Sequence, residues 1–202
     1  MFLLTKQLFI SVKYYPVKIL ETERTILREI VESDAEFILD LLNQPSFIKY
    51  IGDRKVRTPT DAKEFIENRY RQSYREHGFG LYVVELKAEF CTLANARVSA
   101  FSDNPPIGIC GFVKRDTLPD ADIGFAFLPQ FCGKGYAFES AFAVMKYGRD
   151  VLNLKRVLAI TSKDNENSGR LLEKINFKFE RLIKLPHDAE ELKLFSSDTK
   201  DI

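Results

Sequence analysis

Gln130, Gly133 and Gly135, in the run LPQFCGKGYA from Leu128 to Ala137, have the types and spacing of an anion site. The preceding run, Ile123 to Leu128 (IGFAFL), is apolar and is closed by Pro129, which cannot donate to a sheet ladder. Beyond the glycines, Ala141, Phe142 and Met145 continue from Phe138 with the i, i+3, i+4, i+7 spacing of a helix lying on a core. The glycines therefore stand where a helix begins. Backbone N–H groups there lack internal partners, and the helix dipole adds positive charge. With glycines allowing close approach and Lys134 alongside, main-chain amides can hold a phosphate or pyrophosphate. An ordinary strand-to-helix turn would use glycine for its dihedrals in the same way. Neither GxxxxGK[ST] nor GxGxxG occurs, which excludes the NTPase loop and the dinucleotide fingerprint. Cys132 sits within the turn, but loop position alone supplies neither a general base nor a lowered pKa, so it reads as a loop residue.

Several elements must position this turn. Arg156 to Thr161 (RVLAIT) reads as a strand, followed by a short helix capped by Asp164 or Asn165, with Leu171, Leu172 and Ile175 as its apolar face. Asn176 suits the left-handed stop and leads into a strand at Phe177. Earlier, Ser33 with Glu36 forms a capping box before a first helix. Thr58 with Pro59 opens a second, which runs to about His77 and stops at Gly78. LYVVELK, Leu81 to Lys87, is strand-like. Ala88 to Pro105 lacks a clear period and reads as a long strand-to-strand excursion.

The pattern QxxGxG at Gln130, Gly133 and Gly135 resembles the acyl-CoA loop, [QR]xxGx[GA], of the GNAT N-acetyltransferases. The segment after the second strand resembles that family's NxxSxxxxEKxGF, with Asn165, Ser168, Glu173, Lys174 and Phe177 in register and Asn176 where glycine is usual. Both residues tolerate positive φ. ETERTILREI (Glu21 to Ile30), PIGICGF (Pro106 to Phe112) and DIGFAFLPQFCGKGYAFES extend the likeness from about Thr22 to Phe195, toward the ribosomal-protein N-terminal (RimJ/RimL-like) branch. The resemblance implies a mixed α/β, acyl-CoA N-acyltransferase fold: a mostly antiparallel central sheet, splayed at the acyl-CoA site and flanked by helices. The element order β, α, α, β, β, β, α, β, α, β, β is that of the family.

It also implies acetyl-CoA as donor and direct transfer to a primary amine, either a protein N-terminus or a small molecule, with a catalytically silent acyl-CoA-binding module as the alternative. Carried over residue by residue, Phe127 and Leu128 would pair with the pantetheine. Cys132, Gly133, Lys134, Gly135, Tyr136 and Ala137 would surround the pyrophosphate. Asn165 would contact a pantetheine amide, and Ser168 would protonate the thiolate. Asn165 and Ser168 are equally suited to capping their helix. Glu180, three residues beyond Phe177, is the leading general base and Asp122 its competitor, while a strand carboxylate that merely faces solvent is the plain alternative for both. Glu139, on the helix after the loop, reads as a complement to the helix dipole. Tyr70 or Tyr74 could line an acceptor pocket, and Arg54, Lys55 and Arg57 would favour an acidic acceptor if they faced it rather than solvent.

Composition sets the outer limits. A chain of 202 residues with 45% hydrophobic residues can bury one substantial core. A single acetyltransferase domain is expected over 21–196, with an extension at 1–20 read as an extra strand or arm and a tail at 197–202. Thirty basic residues against 29 acidic ones make no broad case for nucleic acid or membrane. Lys6 and Lys13 break the apolar start, so it supplies neither a membrane span nor a good signal peptide. Three scattered cysteines suit a reducing, cytoplasmic setting rather than a disulfide framework. His77 and His187 are isolated, and no metal is expected. A monomer or homodimer is expected.

Overall fold

The computed structural model describes residues 16–94, 104–186 and 190–198. His187, most of the N-terminal extension and the middle of the 88–105 excursion lie outside the described residues. Eight strands form one sheet in the order β1-β2-β3-β4-β5-β6-β8-β7. They are β1 (Lys18–Glu21), β2 (Thr25–Glu29), β3 (Leu81–Leu86), β4 (Pro106–Val113), β5 (Asp122–Phe127), β6 (Arg156–Ser162), β7 (Lys178–Ile183) and β8 (Leu192–Asp198). Every neighbouring pair is antiparallel except β5 and β6. The central strands β3 and β4 are apolar almost throughout because both their faces are covered. Gly108 in β4 leaves room for the Phe127 ring of β5, which a Cβ there would approach to 2.5 Å.

The helices divide between the faces. On one, α6 (Tyr136–Asp150) meets β2, β3 and β4: Ser140 lies against Thr25, the Tyr147 ring meets Tyr82 edge-on, and Gly148 faces Phe112. On the same face α7 (Glu166–Lys174) brings Gly169 over Phe195 of β8. On the other, Arg28 of β2 reaches the start of α1 (Ala35–Leu42), against which α3 (Pro59–Phe65) packs. No helix among the described residues is long and apolar enough to cross a membrane.

The second helix opens as its sequence directs. Thr58 Oγ1 accepts from the Asp61 N–H, and the Asp61 carboxylate accepts from the Thr58 N–H in return. It runs through α3, a π-helical stretch over Ile66–Arg71, and α4 (Gln72–His77), ending where Gly78 takes φ +74°. Several details depart from the sequence reading. Ser33 lies inside a 3-10 turn over Glu32–Asp34 that precedes the first helix, and Asp34 stands at the N-cap position without a side-chain cap bond, its carboxylate reaching back to the Val31 N–H and both Nη groups of Arg28. An extra helix, α2 (Pro45–Tyr50), interrupts what read as a loop, and α5 (Ala88–Ala94) starts the excursion. Strand β1 straddles residues 20 and 21, and β8 runs past residue 196.

Arg28 also bonds Glu85 of β3 at 2.8 Å, making a buried three-residue network between two strands and a helix start. Removing Arg28 would leave two buried carboxylates uncompensated. Arg28→Ala is therefore expected to lower unfolding free energy by about 3–5 kcal/mol, read as a fall in the urea midpoint at unchanged slope.

Candidate active site

Strands β5 and β6 run side by side but share one register pair, Asp122 with Leu158, supported by a 2.9 Å bond from the Leu158 N–H to the Ala121 carbonyl. Beyond it they part. On its other edge β5 stays fully paired with β4, up to Phe127 opposite Gly108. Toward β6, the edge of β5 from Ile123 onward has no strand partner among the described residues.

The open end of this gap meets the glycine turn. Leu128 leaves the strand, Pro129–Phe131 make one 3-10 turn, and Gly133 and Gly135 take φ +74° and +86°, values that a side chain would strain. Residues 132–135 are exposed, and Gly135 caps the 15-residue helix α6. Tyr136 is buried, so its main-chain N–H rather than its ring is the group available to an anion. Cys132 is exposed, with Sγ 3.7–3.8 Å from the Leu128 and Phe127 carbonyls, and burial of its surroundings pushes the thiol upward. That is the reverse of nucleophile activation.

Sequence reasoning missed Arg24, the residue that fastens this turn to the sheet. Its Nε donates to Glu139 Oε2 at 2.6 Å and its Nη1 to the Lys134 carbonyl at 3.1 Å, while the guanidinium lies 4.5 Å from the centre of the Tyr136 ring. Glu139 Oε1 accepts from Thr22 Oγ1 and from the Arg24 N–H. Burial is the largest single influence on this carboxyl and pushes its pKa up, yet the Thr22 and Arg24 contacts together bring it below the ordinary glutamate value. The dipole reading of Glu139 was thus incomplete, since the side chain turns back to β2. A basic residue opening one strand and an acid in the first turn of a distant helix were the available signals, but nothing in the sequence pairs them.

On the opposite side of the gap, Asn165 caps α7 by accepting from the Ser168 N–H at 3.2 Å. Ser168 is half-buried as the third residue of that helix. Asp164, just before the cap, pairs with Lys49 of α2 at 2.8 Å, linking the two sides of the molecule.

Asp122 and Glu180 share a face at the closed end. Asp122 pairs in register with Leu158, Leu158 with Ser196, and Ser196 Oγ donates to Glu180 Oε1 at 2.6 Å. Asp122 is buried, so the solvent-facing alternative does not hold for it. Burial raises its pKa despite a 2.8 Å contact from Arg115 Nε. Glu180 lies on a β-bulge between Phe179 and Arg181 and is bonded by Arg156 as well. The Ser196 hydroxyl, opposed by burial and reinforced by Arg156, holds its pKa below the usual range. Tyr74 donates to the Leu81 carbonyl and accepts from the Ile30 N–H, and Tyr70 packs edge-on to Phe65, so both are committed to the interior. Arg57 pairs with Asp53 and Asn43, making the basic loop largely self-satisfied there.

A sheet parted between two parallel neighbours, with a glycine-lined helix start at its mouth, defines the acyl-CoA N-acyltransferase fold. The family model for the acetyltransferase (GNAT) domain matches residues 24–178, and the chain belongs to that family. It is 29% identical to the uncharacterized N-acetyltransferase YoaA of Bacillus subtilis, over 82% of this chain and 86% of YoaA. Among solved structures, RimL, a ribosomal alpha-N-protein acetyltransferase in complex with coenzyme A, superposes with TM-score 0.71 at 16% identity, covering 90% of this chain and 98% of RimL. The spermidine N-acetyltransferase of Vibrio cholerae, in complex with CoA and spermine, gives 0.66 at 17% identity, over 87% and 96%.

Because the folded pKa of Glu139 is depressed, its stabilisation is complete above the ordinary glutamate value and is lost as pH falls through the folded value. Glu139→Gln should cost about 1.5–3 kcal/mol near neutral pH. The difference from the parent should shrink in acid below about pH 4, as measured by urea unfolding across pH.

Proposed function

We propose that this acetyltransferase moves the acetyl group of acetyl-CoA to a primary amine, a protein N-terminus or a small molecule, by direct attack in a ternary complex. The observation that carries the reading is the parting of β5 from β6 beside the glycine turn. An extended acyl-CoA arm suits that gap, since the free edge of β5, through Phe127 and on to Leu128, offers main-chain donors and acceptors. The pyrophosphate suits the exposed amides of residues 132–135 and the first N–H groups of α6 at Tyr136 and Ala137, with Lys134 adding charge. The Asn165 carbonyl oxygen serves its helix cap, and the amide nitrogen of that side chain is the group assigned to the arm.

In the reaction, the amine nitrogen forms a bond to the thioester carbon as the carbon–sulfur bond breaks. The ammonium proton passes to Glu180, directly or through water; Ser168 Oγ gives a proton to the departing thiolate and is restored by the second proton, which the nitrogen releases as the amide forms. Asp122 remains the competing base. The likeness to RimL supports a protein N-terminus and the likeness to spermidine acetyltransferases a small amine, because one fold serves many acceptors.

CoA release measured with acetyl-CoA and a panel of amines and N-terminal peptides tests the activity. Tight acetyl-CoA binding without turnover on any acceptor would make the chain a silent binding module. Ser168→Ala and Glu180→Gln should each lower kcat by about 10²-fold or more while acetyl-CoA still binds, and Cys132→Ala should leave acetyl-CoA affinity essentially unchanged. With Glu180 as base, its depressed pKa places the acid limb of kcat/KM below the ordinary carboxylate range. An acid limb above that range, retained in Glu180→Gln, would identify Asp122 instead.

A further inference from the structure

Beside Glu180, a second and smaller apolar cluster stands apart from the main core, formed by Leu118, Leu158 and Leu194 with Ile160, Ile183 and Leu185 against it. A cavity of about 290 Å³ opens over this floor. It touches the closed end of the gap through Leu158, the register partner of Asp122, and Glu180 forms part of its wall. Its volume lies at the small end for ligand sites, which calls for a small occupant.

The charges around the cavity are uneven. Among the described residues, Arg156, Arg181 and Lys184 line it together with the carboxylate of Glu180. Arg156 is already bonded to Glu180 and Asp120, whereas Arg181 reaches Glu180 only at 3.6 Å. Consecutive strand residues ordinarily point to opposite faces. The bulge at Glu180 lets Glu180 and Arg181 line the same cavity, a negative group next to a positive one over apolar side chains. A zwitterion carrying a hydrocarbon side chain has the complementary arrangement.

We propose that the acceptor is a free apolar α-amino acid, with its ammonium group at Glu180, its carboxylate at Arg181 and Lys184, and its side chain on Leu158 and Leu194. This rests on the transferase reading given above. A polyamine fits poorly, because its several positive charges would meet three cations, Arg156, Arg181 and Lys184, around the Glu180 carboxylate, which already pairs with two of them. Leucine is the natural probe, since leucinamide keeps the amine and the side chain but not the carboxylate, and isoamylamine drops the carboxyl carbon altogether.

Steady-state kinetics at saturating acetyl-CoA should give leucine a kcat/KM at least about tenfold above leucinamide, isoamylamine and spermidine, the size of one lost charge-assisted contact. The preference runs against intrinsic reactivity, because the less basic amine of leucinamide is more often neutral near pH 7. Arg181→Gln should raise the ratio of leucine KM to leucinamide KM by about tenfold, since whatever the variant does through its 3.6 Å contact with Glu180 acts on both amines alike. Arg181 is largely exposed, so the variant is expected to fold. Equal use of leucine and leucinamide, preference for spermidine, turnover of N-terminal peptides alone, or indifference of that KM ratio to Arg181→Gln would each overturn the assignment while the transferase activity stands. Acetyl-CoA binding without CoA release on any of these amines would overturn the transferase reading itself.

Discussion

The lone pairing of Asp122 with Leu158 is the constraint on which the site depends. A parallel pair that continued normally would seal β5 against β6 and leave a closed eight-stranded sheet with no room between strands. Joined at one end only, the two strands create an edge inside the sheet rather than at its margin. Unpaired peptide groups are costly when buried and a hazard when exposed, so an edge of this kind is tolerable where another extended chain is meant to occupy it. The further connection across the gap comes from α6 and α7, which pack on β5 and β6 respectively and on each other.

The anion turn depends on a different kind of support. Two glycines with positive φ give it shape, but glycines alone also give it freedom. Arg24 removes that freedom by holding the Lys134 carbonyl, pairing with Glu139 and stacking on Tyr136 at once. The turn is thereby tied to the start of β2, more than a hundred residues earlier in the chain. Preorganisation of this kind reduces what a ligand must spend on ordering the loop.

Much of the fold was legible locally. The glycine turn, the Asn165 cap, the positive φ of Asn176 and the Thr58–Asp61 capping box all rest on interactions within a few residues, where residue type and spacing carry the information. The features that escaped need distant partners. Ser33 reads as a cap by type, but Arg28 of β2 and the Val31 N–H hold Asp34 in a 3-10 turn that takes in Ser33, and the helix starts after it without a side-chain cap. The burial of Asp122 follows from its place between two strands and under Arg115, which alternation along a single strand does not reveal. Similarly, the assignment of Tyr74 to the interior depends on backbone groups of β2 and β3 that come near it only after folding. For Asp122 and Glu180, family likeness supplied the candidates, and the sheet register supplied their common face.

The bulge on β7 has a consequence for the protein as a solute. That strand ends the sheet and is exposed along nearly its whole length, with Phe179 and Leu182 showing apolar surface. A straight, apolar edge of this sort is a template for a second chain and hence for aggregation. The kink at Glu180, the charged residues Lys178, Glu180 and Arg181, and the twist that a bulge adds all spoil that template. The charge at 180 therefore guards the edge as well as serving the proposed chemistry, and neutralising it leaves the backbone kink as the protection at that point.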